Sequence, residues 1–137
     1  MLINALWETD VKKIGFITKN KVLAQSLESL IKSNLDLPLE PYVMLNLEQA
    51  AIDAEVFEID VAVVEMVEEA TMETGAITSL CNELRKTSPD CQILLLVPQD
   101  IKRSRDEAMK AVNTRAVDDY VFQDTSLDYL LAKLLAL

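Results

Sequence analysis

Glu65 is the residue of this chain best placed to do chemistry. It ends the run Asp60-Val61-Ala62-Val63-Val64-Glu65-Met66, in which no polar residue alternates with the apolar ones. A strand of that pattern must be covered on both faces, which predicts a parallel sheet sandwiched by helices. In such sheets ligands and chemistry sit in the crevice beyond the carboxyl ends of the strands. The partners that would make Glu65 reactive are scarce. With His 0 there is no imidazole base, no Ser-His or Cys-His nucleophile and no His metal ligand. Gly15 and Gly75 are the only glycines, which excludes a Walker-type loop and a G-x-G-x-x-G fingerprint. Cys81 and Cys91 match no zinc or thioredoxin spacing and read as buried free thiols. Glu65, Glu68, Glu69 and Glu73 form an acidic cluster, but it lacks the glycine and alternating oxygen ligands of a calcium loop and reads as a solvated loop. No metal and no cofactor are expected.

Composition narrows the function further. The 137 residues suit one domain, and 50% hydrophobic residues can fill its core. Asp+Glu 23 against Lys+Arg 13 leaves a formal net charge of -10, which would repel a phosphate backbone and an anionic membrane alike. Direct nucleic-acid binding is not expected. The sequence opens on no signal-peptide pattern and holds no run of about 18 apolar residues, so a cytoplasmic protein is expected.

The elements that position Glu65 form five βα units without repeats or linkers. The first strand, Lys13 to Thr18, leads into a helix capped by Asn20, with Val22, Leu23, Ser26, Leu27, Leu30 and Ile31 on its apolar stripe. After the Pro38/Pro41 punctuation come a strand at Tyr42 to Leu45 and a helix from about Leu47 to Ala54. The third strand, Val61 to Met66, is followed by a polar loop, Val67 to Thr74, and a helix with Ile77, Leu80, Cys81 and Leu84 inward. The fourth strand, Gln92 to Val97, is stopped by Pro98, and Ser104-x-x-Glu107 reads as a capping box opening a helix with Ala108, Ala111 and Val112 in the core. The fifth strand, Asp119 to Phe122, precedes a Thr125-x-x-Asp128 cap and a stripe of Leu127, Leu130, Leu131, Leu134 and Leu135. Residues 1–10, with Trp7, stand before the domain at 11–137 as an extension that could cap the sheet edge or pack in a dimer. Right-handed crossovers predict an α/β, flavodoxin-like, doubly wound five-stranded parallel sheet of order 2-1-3-4-5 with helices on both faces.

Three segments, in this order and spacing, resemble the CheY-like receiver domains of two-component response regulators. They are Ile14-Gly15-Phe16-Ile17-Thr18-Lys19-Asn20-Lys21-Val22-Leu23, Glu83-Leu84-Arg85-Lys86-Thr87-Ser88-Pro89-Asp90-Cys91-Gln92-Ile93 and Asp119-Tyr120-Val121-Phe122-Gln123-Asp124-Thr125-Ser126. The resemblance covers nearly everything after Asp10. It implies a phosphoryl-accepting aspartate, an acidic pair for magnesium, a Thr or Ser that follows the phosphoryl group, and a lysine that pairs with it. Phosphoryl charge needs a hard cation and an ammonium, and the cation needs carboxylate oxygens. Every corresponding position departs. Thr18 and Lys19 stand for the acidic pair, Glu65 for the phosphoacceptor, Val97 for the hydroxyl residue and Gln123 for the lysine. Tyr120 matches the aromatic that turns inward when the hydroxyl residue moves, and Val97 gives it no trigger.

The resemblance therefore implies a degenerate receiver, a pseudo-receiver. Glu65 either imitates a phosphorylated aspartate, with Lys19 as counter-ion, or is a strand-end acid tethered by Lys19 or a backbone N–H. The leading expectation is a phosphorylation-independent signalling or protein-interaction module, not an enzyme. It would dimerise or dock a partner through the fourth helix, fifth strand and fifth helix. The alternative is a small-ligand- or anion-binding domain, or an enzyme, that reuses the crevice with Lys19 as an anion contact. No helix-turn-helix follows the fifth helix, so the domain either stands alone or has been separated from one.

Overall fold

The computed structural model describes residues 11–34, 36–66 and 76–137. The extension at residues 1–10, with Trp7, and the acidic loop carrying Glu68, Glu69, Glu73 and Gly75 lie outside the described residues. Among the described residues, five strands alternate with five helices. They are β1 (Lys12–Ile17), α1 (Lys21–Ser33), β2 (Leu39–Met44), α2 (Leu47–Val56), β3 (Val61–Glu65), α3 (Ala76–Thr87), β4 (Gln92–Val97), α4 (Lys102–Asn113), β5 (Asp119–Phe122) and α5 (Leu127–Ala136). All pairings are parallel and the order is β2-β1-β3-β4-β5, as the sequence predicts.

The uniform apolar runs are explained by double coverage. Along β3 every residue is buried, and alternate side chains enter opposite cores. Ala62 and Val64 join Ile93, Leu95 and Val97 beneath α2, α3 and α4, while Val61 and Val63 join Leu94, Leu96 and Phe16 beneath α1 and α5. Each fully buried Val, Leu or Ile contributes roughly 1.5–3 kcal/mol of transfer free energy. Gly15 keeps the first core closed, since a Cβ there would come within 3.3 Å of both Met44 and Ile59.

Several local expectations are corrected. β2 begins at Leu39 and contains Pro41, because among the described residues it is an edge strand paired with β1 alone, and a proline can turn its missing N–H outward. In α1 the buried residues are Ala24, Leu27 and Ile31, whereas Val22 and Ser26 are exposed. Ser104 is not a cap: it is buried within α4, which starts at Lys102 behind Ile101 with no side-chain cap. Ser126, not Thr125, caps α5 by accepting from the Tyr129 N–H. Leu130, Leu131 and Leu134 are core, but Leu127 and Leu135 are exposed. Asn20 caps α1 as expected, its Oδ1 accepting from the Leu23 N–H at 3.1 Å. The Lys12 ammonium donates to the carbonyls of Leu134, Leu135 and Leu137, so the first strand satisfies the open end of the last helix.

Candidate functional site

The carboxyl ends of β1, β3 and β5 bring Thr18, Glu65 and Gln123 together. Glu65 is the last residue of β3 and continues the Val61, Val63 alternation, and although charged it is only 7% exposed. A carboxylate in that position requires donors, because a buried unpaired charge is costly. Thr18, 3% exposed, sits just beyond β1 and donates its hydroxyl to Glu65 Oε1 at 2.6 Å. Gln123, just beyond β5, donates Nε2 to Glu65 Oε2 at 3.3 Å and to the Met66 carbonyl at 3.2 Å. Each carboxylate oxygen thus has its own donor.

These contacts are held by the backbone. Thr18 Oγ1 accepts from the Asn20 N–H at 2.9 Å, and Asn20 in turn caps α1, so the hydroxyl is oriented by the helix start. The Gln123 N–H donates to the Val97 carbonyl at 2.8 Å, extending the β4–β5 ladder by one residue and aiming the amide at Glu65. Val97 is fully buried and offers the crevice no polar side-chain atom. Tyr120 is half-buried and meets Phe122 edge-on, with ring centroids 5.7 Å apart.

Lys19 does not take the place expected of it. Its side chain is exposed, and it forms no ion pair with Glu65 among the described residues. The tether is a hydroxyl and an amide instead, because Thr18 points inward and the next residue along the chain points out to solvent, where an ammonium is hydrated. Asn20 and the Met66 carbonyl also belong to the network. The former was legible as a helix cap but not as a site residue; the latter, a backbone group, left no signal in the sequence.

Among the described residues, no group of three or more His, Cys, Asp or Glu is placed to hold a metal ion. Cys81 and Cys91 are buried free thiols, and burial pushes both up to about 11. No helix among the described residues is long and apolar enough to cross a membrane. A cleft of about 250 Å³ lies at the opposite end of the sheet, lined by residues that include Glu55, Glu58, Asp60 and Asp90. It shares nothing with the Glu65 network.

No family model and no curated protein matches the sequence. Solved structures do. A two-component response regulator from Clostridium difficile has a TM-score of 0.72 at 22% identity, covering 91% of this chain and 93% of that one. The receiver domain of a Francisella response regulator has a TM-score of 0.69 at 19% identity, covering 90% and 95%. An adenylate cyclase from Rhodopirellula baltica has a TM-score of 0.75 at 20% identity, covering 92% and 86%. The chain therefore has the CheY-like, flavodoxin-like fold of response regulator receivers.

Proposed function

We propose that this chain is a receiver-like signalling or protein-interaction module whose output does not depend on phosphorylation. One observation carries the reading: the carboxylate at the phosphoacceptor-equivalent position is buried and already satisfied by Thr18 and Gln123. An incoming phosphoryl group would need an acidic pair to bring magnesium and an ammonium to neutralise its oxygens. The positions that resemble those parts hold Thr18, an exposed Lys19, Val97 and Gln123. Glu65 is read as a fixed strut rather than a phosphate mimic, since its partners are neutral donors and a carboxylate carries one charge where a phosphoryl group carries nearly two.

Output then falls to the surface formed by α4, β5 and α5. Met109, Leu127 and Tyr129 are exposed there, 50%, 40% and 52%, which supports docking of a protein partner or a second copy. The test is intact-mass analysis after incubation with acetyl phosphate and magnesium. The unmodified mass is expected throughout, and a stable phosphoryl adduct, or micromolar magnesium affinity by calorimetry, would overturn the reading.

A further inference from the structure

The outer face of α2 sets two large apolar side chains among its polar ones. Ala50, Ala51 and Ala54 already bury its inner side, yet Ile52 is 54% exposed, Val56 67% and Phe57, just beyond the helix, 43%. Phe57 is held by stacking on Tyr42, with ring centroids 5.2 Å apart. Ile52 and Val56, four residues apart, stand on one stripe of the helix, and with Phe57 they leave an apolar strip bordered by carboxylates.

The surroundings select what covers it. α2 carries Glu48, Asp53 and Glu55, with Glu58 following, and no lysine or arginine. None of these four carboxylates forms an ion pair among the described residues. The nearby Lys13 ammonium is directed to the Phe57 carbonyl at 3.2 Å. The 250 Å³ cleft opens beside the C-terminal end of α2, and Glu55, Glu58 and Asp90 are among the residues that line it. Asp60, also in the lining, is already engaged by the Lys13 N–H at 2.8 Å.

We propose that this face docks a basic amphipathic segment of a partner protein, its apolar side on Ile52, Val56 and Phe57 and a lysine or arginine in the cleft between Glu55, Glu58 and Asp90. A second copy is the wrong occupant, because a two-fold contact would bring the same carboxylates against each other. An anionic membrane is repelled for the same reason.

The test uses a fluorescein-labelled helical peptide of leucines and lysines, the leucines at i, i+3, i+4 and i+7, followed by anisotropy and by amide shifts of the labelled full chain. Shifts are expected in α2 and at the cleft. The Ile52→Gln/Val56→Gln double variant should weaken binding at least about tenfold at unchanged melting temperature. Glu55→Gln/Glu58→Gln should weaken it several-fold and flatten its salt dependence. A scrambled peptide of the same composition binding equally well would overturn the proposal, because net charge alone would then explain capture. So would shifts mapping to α4, β5 and α5, or a dimer of the free protein that Val56→Gln dissolves.

Discussion

Replacing Thr18 by valine removes one hydroxyl and almost no volume, so its cost measures what holds Glu65 in the interior. The hydroxyl donates to a carboxylate at 2.6 Å and accepts the Asn20 N–H at 2.9 Å, at a position only 3% exposed. A hydrogen bond to a charged group is worth roughly 1.5–3 kcal/mol, and stranding the acceptor adds its desolvation cost. The Asn20 N–H lies nearer the surface and recovers water. The expected loss is therefore about 2–3 kcal/mol, read as a lower urea midpoint at unchanged slope. For a chain of 137 residues that is a fall of roughly 7–10 °C in melting temperature. The cause is separable by a cycle with Glu65→Gln. The double variant should recover at least about 1 kcal/mol relative to the sum of the single losses, because the neutral amide no longer demands the hydroxyl. A loss below about 0.5 kcal/mol for Thr18→Val, or strict additivity with Glu65→Gln, would refute the idea that this network holds the carboxylate.

Three further outcomes are expected. Cys81 and Cys91, buried and with thiols raised to about 11, should resist a disulfide reagent at pH 8 in the native state and react promptly in denaturant; fast native labelling would contradict their placement. Arg115 holds φ 63° just past α4, so Arg115→Gly should stabilise the fold by up to about 1 kcal/mol, measured by urea titration, and a loss would mean its side chain matters more than its backbone. Burial alone would raise the Asp119 carboxyl, but hydrogen bonds from Lys133 and the Tyr120 N–H outweigh it and hold the group below its ordinary range. A depressed carboxyl stabilises above its unfolded pKa and loses that contribution as pH falls through its folded one. Asp119→Asn should therefore cost under about 1 kcal/mol at neutral pH, both partners being partly exposed, and the difference should shrink and vanish as pH falls through the lowered folded pKa. A gap that persisted in acid would point to packing instead.

Periodicity made the sheet legible, and local pattern made the helix ends less so. The runs at Val61 to Val64 and Ile93 to Val97 gave strand, parallel pairing and burial together, because only double coverage tolerates them. The Ser104 and Thr125 patterns failed because a capping sequence is a short-range signal, while the depth at which a helix meets the sheet decides where its first turn begins. In α1, Ala24 was passed over for the larger Val22, although a small side chain is what lets the helix lie close to the sheet. Thr18, Glu65 and Gln123 are legible as a set through a resemblance, and the structure joins all three through the Glu65 carboxylate. Lys19 is placed near Glu65 by the same resemblance, as counter-ion or tether, and its exposed side chain shows that orientation at a strand end is something neither charge nor resemblance encodes.

The position of Pro41 bears on how this molecule can assemble. At one margin of the sheet the proline leaves a gap in the row of amide donors that a foreign strand would need, and at the other β5 offers just four residues. Backbone-to-backbone addition, the route by which many domains recruit extended peptides or aggregate, has little purchase on either rim. Recognition by the described domain then falls to side chains rather than to a sheet rim, and it can be retuned by surface substitution without touching the sheet.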